Sequence, residues 1–241
     1  MGLMNGQGVV EPLKNMRARS RRALLVELVG PAGAGKSTLA RGLQSWHAQP
    51  SAAFGLWGLA RRHLFASAVM LLPALTRALL AGSRFRTAEI AQLVRLRALR
   101  RAVLEAERRG ARLIVLDEGP VFGLTWLDLC HAANGDARRA ALRTAALHEW
   151  ASLLSAVVCL DADDPVLVQR IRTRDKPHPV KHSPDEEING FSARFRRAFD
   201  VVIARVTNIA PVRVLAMRTD RGAAAELTRQ VGSALEALHA R

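Results

Sequence analysis

Lys36 and Ser37 follow a run of small residues, Gly30-Pro31-Ala32-Gly33-Ala34-Gly35, and the eight positions together satisfy GxxxxGK[ST]. That spacing suits a polyphosphate. Glycines let backbone N–H groups turn inward around phosphate oxygens, where a side chain would collide. Lys36 brings a positive charge to the β- and γ-phosphates, and Ser37 a hydroxyl to Mg²⁺. The apolar run ALLVELV (23–29) leads in as a buried strand, and a helical pattern over 36–47, with Thr38 in its first turn, leads out. A helix starting there aims its N-terminus at the anion. The expected ligands are ATP and Mg²⁺.

Asp117 and Glu118 end a second apolar run, RLIVLDEGP (112–120). The C-terminal ends of strands face the ligand in an open parallel sheet, so a carboxylate there can hold Mg²⁺ through water. Adjacent strand residues point to opposite faces, so the pair cannot share one role. Asp117 is assigned to the metal and Glu118 to the acceptor; the reverse, and a Glu118 that only caps a turn, stay open. Farther on, Arg170 and Arg174 lie four apart and share a face if helical, while Arg172 points away. Lys176 and Lys181 follow in a Pro- and His-containing loop. A mobile basic segment of this kind closes over polyphosphate, neutralises charge on the transferring group and excludes water.

These residues need strands and helices to place them. AVVCLD (156–161) and VRVLAM (212–217) read as further strands, and SAAFGLWG (51–58) has room for a short one. Glu27 interrupts the first strand, which implies a polar partner or a place near the sheet edge. Apolar positions at three- and four-residue steps make 89–109 an amphipathic helix stopped by Gly110. Residues 136–155 and 223–239 also read as helices. Asp164 is expected to cap a helix with Pro165 at its first position, and Ser183 and Glu186 to form a capping box. Alternating strands and helices predict a three-layer α/β/α domain over 23–241, behind a flexible basic leader at 1–22.

The stretch LFASAVMLLPALTRALLA (64–81) is almost wholly apolar, with Pro73 in its middle and Arg77 near its end. It is read as a buried helical insertion. An interfacial membrane helix flanked by Arg61, Arg62, Arg84 and Arg86, or a partner-binding face, are the other two readings.

The chain has 241 residues, about half of them hydrophobic (49%), enough for one sizeable core. Its net charge of +15 favours anionic partners, while no zinc-finger, helix-turn-helix or RNA-binding aromatic pattern accompanies it, so nucleic acid is ranked low. Two distant cysteines, Cys130 and Cys159, and the lack of an apolar leader fit a reduced, cytoplasmic protein. The seven histidines show no metal-binding spacing. Phe54, Trp57 and Phe122 are candidates to line an acceptor pocket.

Over residues 23–240 the chain resembles the thymidylate-kinase-like branch of the P-loop nucleoside and nucleotide kinases. The likeness is carried by GPAGAGKST, the Asp117-Glu118-Gly119 triplet, LDADDP…RIRTR, FSARFRRAFD and the final strand–helix pair. It implies a five-stranded parallel sheet, lid arginines (Arg170, Arg174 and, more weakly, Arg172) on the ATP phosphates, an acceptor-side insertion at 51–110 and a lid at 165–190. Ala32-Gly33-Ala34 replaces the aspartate-bearing loop of thymidylate kinases, their DRY-type triplet is missing, and no tyrosine is present. Phosphoryl transfer is therefore implied better than thymidylate. The acceptor classes are a nucleoside, a nucleotide, or a sugar- or lipid-linked alcohol; peripheral membrane contact and a homodimer are both admitted. The competing reading is a nucleotide-dependent switch or adaptor acting at a membrane surface or on a protein partner.

Overall fold

The computed structural model describes residues 22–46, 50–131, 135–175 and 177–239. The leader up to residue 21, His47 and Lys176 lie outside these. Five strands, β1 (Leu24–Val29), β2 (Ser51–Phe54), β3 (Leu113–Asp117), β4 (Ala156–Asp161) and β5 (Arg213–Arg218), form one sheet in the order β2-β3-β1-β4-β5. Every pairing is parallel. Eight helices are described: α1 (Lys36–Trp46), α2 (Arg61–Leu80), α3 (Thr87–Arg108), α4 (Pro120–Cys130), α5 (Ala137–Ala151), α6 (Asp164–Thr173), α7 (Asp185–Ile209) and α8 (Ala224–His239).

Parallel strands need crossover helices, which cover both faces of the sheet, and this is why β1 reads as an unbroken buried run. The two-residue period then sorts its side chains. Leu25 and Val29 meet Leu96, Leu124, Trp150 and Phe199 from α3, α4, α5 and α7. Leu24, Val26 and Leu28 face the other way, onto Leu39 and Leu43 of α1 and Val231 and Leu235 of α8.

Several sequence expectations are corrected. Glu27 is at the sheet centre rather than near its edge, and it has the polar partners the alternative required. Asp163, not Asp164, precedes α6, and its side chain makes no capping bond. Asp164 instead pairs with Arg196 at 2.8 Å. α7 starts at Asp185 after Pro184 without a side-chain cap, so the Ser183–Glu186 box does not form. Asp185, Glu186 and Glu187 in its first turn supply the favourable negative charge there.

The largest correction concerns α2. It packs on α3 through one stripe only, His63, Ser67, Leu71, Leu75 and Ala78. Its other side is exposed, with Phe65 75% and Leu80 90% accessible. Apolar composition revealed a helix but not that only one neighbour covers it.

Candidate active site

The turn from β1 into α1 is built around positions that exclude side chains. Gly30 has φ +150°, and a Cβ there would lie 2.1 Å from the carbonyl oxygen of Leu160 on β4. Gly33 and Gly35 also have positive φ, +81° and +87°. Ala34, wholly buried, donates its N–H to Pro31 O at 3.2 Å and pins the loop from beneath. Lys36 arches over the loop, its Nζ donating to Gly30 O at 2.8 Å and Pro31 O at 3.0 Å. Desolvation pushes its pKa down; Asp117 and Glu118 oppose that, and Arg174 adds to it.

Ser37 Oγ donates to Asp117 Oδ2 at 2.5 Å. Residues 80 positions apart are thus joined where β1 and β3 end side by side. A hydroxyl and a carboxylate in contact beside this glycine-rich loop are hard oxygen donors of the kind that fit Mg²⁺. Glu118 turns away from the strand direction, with φ +70°. This is an uncommon conformation for a residue with a Cβ and a mark of imposed strain. Two neighbours fix the turn: Leu56 N–H donates to Glu118 O at 3.0 Å, and Gly119 N–H donates to Glu27 Oε1 at 3.1 Å.

Glu27 accepts two more backbone bonds at the start of α4, from Val121 N–H at 2.8 Å and Phe122 N–H at 2.9 Å. A carboxyl at a helix N-terminus satisfies donors that have no partner within the helix. Burial pushes its pKa up to about 8, with the three N–H bonds acting in the opposite direction.

The three arginines of the expected lid separate in their contacts. Arg170 braces the loop, donating through Nη1 to Gly33 O at 3.2 Å and Thr219 Oγ1 at 2.8 Å, and through Nη2 to Thr219 O at 3.0 Å. α6 ends at Thr173, so Arg174 is extended and the two do not share a helix face. Both still line the cavity described below. Lys181 Nζ donates to Arg174 O at 2.6 Å and holds the chain beyond the helix. Arg172 points away, as its spacing implied, and pairs with Asp185.

A cavity of about 1050 Å³ joins these groups. Its lining includes the loop residues Gly30, Pro31, Ala32, Gly33, Gly35 and Lys36, with Ser37, Thr38 and the start of α8. Asp117 and Glu118 line it too, together with the rings of Trp57, Phe122, Trp126, Phe191 and Phe195. Phe122 and Phe195 stack with ring centroids 6.4 Å apart, and Phe191 lies 4.8 Å from Phe195. Of the three aromatic candidates, Trp57 and Phe122 line this cavity. Phe54 instead faces a second one of about 550 Å³ along β2.

Two contributions were missed in the sequence. Thr219 gave no signal, because its importance arises from a contact with Arg170 49 positions away. Phe191 and Phe195 had one, their four-residue spacing in FSARFRRAFD, which places both rings on one helix face.

No protein-family model matches the chain, and no curated protein matches it. Solved structures do. The YorR protein of Bacillus subtilis, in complex with phosphorylated GDP, aligns over 90% of this chain and 98% of its own at 16% identity, with a TM-score of 0.51. The fold is shared. Two shikimate kinases align less closely. The one from Acinetobacter baumannii, in complex with shikimate, covers 89% of this chain and 94% of its own at 17% identity and a TM-score of 0.44. The one from Bacteroides thetaiotaomicron covers 88% and 98% at 16% identity and 0.47. This chain therefore has a P-loop α/β/α fold, a five-stranded parallel sheet flanked by helices.

Proposed function

We propose that the protein is an ATP- and Mg²⁺-dependent phosphotransferase of the nucleoside and nucleotide kinase type, working in the cytoplasm on a small-molecule acceptor. One observation carries this reading: the Ser37–Asp117 contact and Lys36 share a single cavity with five aromatic side chains that lie outside the loop. A nucleotide switch needs the loop and the Ser37–Asp117 pair; a transferase needs room for an acceptor as well.

In this reading the backbone N–H groups of Gly33, Gly35, Lys36 and Ser37 hold the ATP phosphates within the 30–38 loop, and the Lys36 side chain lies against the β/γ oxygens. Ser37 and Asp117 would hold Mg²⁺, which supplies positive charge to the β- and γ-oxygens. Because Asp117 is engaged with Ser37, Glu118 takes the acceptor side and orients or deprotonates its hydroxyl. The acceptor oxygen bonds to the γ-phosphorus as the bond to the β,γ-bridging oxygen breaks, and the hydroxyl proton passes to the carboxylate. Positioning and charge stabilisation supply most of the acceleration. Residues 165–190 act as the lid, with Arg174 the arginine best placed to reach phosphate and Arg170 holding the loop in shape. Residues 51–110 form the acceptor side. The likeness to the thymidylate-kinase branch supports phosphoryl transfer; the aromatic lining leaves a nucleoside, a nucleotide or a lipid-linked alcohol as acceptor classes.

Incubation with γ-labelled ATP, Mg²⁺ and an acceptor library tests the reading. Transfer to at least one acceptor, abolished by Glu118→Gln, is expected. Nucleotide binding with hydrolysis to water alone across all acceptor classes would favour the switch.

A further inference from the structure

α2 presents two apolar sides, and the fold uses one. The buried stripe lies on α3; opposite it Phe65, Val69, Leu72, Thr76 and Leu79 recur at steps of four, three, four and three and form a second stripe on one face. Phe65 is 75%, Val69 52%, Leu72 57% and Leu79 49% exposed, and Leu80 extends the stripe at 90%. Thr76 is its one polar member, and its hydroxyl donates back to Leu72 O at 3.0 Å. The helix carries a mean hydropathy of 1.6 over 18 residues, with 22% of that window buried. Apolar patches of this kind mark interaction sites.

The charges around the stripe have one sign. Residues 50–88 contain five arginines, Arg61, Arg62, Arg77, Arg84 and Arg86, and no Asp, Glu or Lys. The carboxylates that meet this segment are engaged: Glu105 with Arg62, His63 and Arg109, Glu89 with Arg139 and Arg143, and Asp136, just before α5, with Ser83 and the N–H groups of Arg138 and Arg139. A second copy of this chain seated on the stripe would bring like charges together. A surface combining hydrocarbon with negative headgroups complements both features. The inner stripe is committed to α3, so the helix lies on such a surface and does not cross it.

We infer that the outer face of α2 is a docking surface for anionic lipid bilayers. Its apolar stripe enters the headgroup–acyl boundary, and the exposed guanidiniums of Arg61, Arg77, Arg84 and Arg86 meet lipid phosphates.

Co-sedimentation of the full chain, without nucleotide or acceptor, with two kinds of vesicle tests this: phosphatidylcholine alone, and an equal mixture with phosphatidylglycerol. Binding to the mixed vesicles alone is expected, weakening as salt is raised. Phe65→Glu with Leu72→Glu should reduce that binding at least ~10-fold with the thermal midpoint unchanged, since both side chains are exposed. Arg84→Ala with Arg86→Ala should also weaken it. The inference is overturned if the chain ignores anionic vesicles, binds both kinds equally, or keeps its affinity in the Phe65/Leu72 variant. It is equally overturned if the wild type is a dimer that this variant dissociates. None of these outcomes bears on phosphoryl transfer, which is assayed without vesicles.

Discussion

Glu27 carries its carboxyl in the middle strand of the sheet, enclosed on every side. With its pKa raised to about 8, the folded protein keeps a proton there that the unfolded chain releases near pH 4.5. This group's contribution to stability is therefore complete below pH 4.5 and declines as pH rises to about 8, by up to ~1.4 kcal/mol per pH unit. Urea denaturation at several pH values should show that decline, and Glu27→Gln should remove it. An identical pH slope in the two proteins would contradict the assignment. Asp117→Asn should leave the Ser37 contact within hydrogen-bonding reach while removing the charge that, in the proposed reading, would hold Mg²⁺. Transfer is expected to fall roughly 100-fold, with a higher Mg²⁺ requirement, as read by titrating Mg²⁺ at fixed ATP. At this scale the sequence was most legible where the chemistry is local. Lys36 and Ser37 stand in one contiguous motif, whereas the partners of Glu27 lie 92 to 95 positions away and no spacing rule reaches them.

The elements follow the same division. Buried parallel strands are continuous apolar runs, so β1, β3 and β4 were readable with helices between them; β5 was read from the same apolar signal although it is a largely exposed edge strand. The start of α6 was misplaced by one residue, and neither Asp163 nor Asp164 caps it with its side chain. Both carboxylates are engaged elsewhere, Asp163 with Arg218 and Asp164 with Arg196. α2 was read as buried because composition reports apolarity and not how many faces a fold covers. Where elements meet most tightly, a single methyl is informative. Gly30→Ala would place a Cβ 2.1 Å from Leu160 O, at a φ that alanine avoids. A loss of roughly 1–3 kcal/mol should appear as a lowered thermal midpoint along with weaker nucleotide binding. An unchanged midpoint would mean that β1 and β4 are not as close as described.

Taken whole, the molecule gathers a glycine-rich loop, a hydroxyl–carboxylate pair and a cluster of aromatic rings into one cavity, and carries an apolar stripe with arginines near it on the outer side of α2. The net charge of +15 gives it an electrostatic bias toward anions of every kind, so affinity alone does not distinguish a built site from attraction. A single side-chain change at the loop does. Titration calorimetry of ATP with Mg²⁺ into the wild-type chain and into Lys36→Ala is the most direct measurement. Saturable one-to-one binding in the first, weakened ~100-fold in the second, is the result expected from a loop that grips a triphosphate. No heat with any nucleoside triphosphate, or equal binding by both proteins, would contradict it.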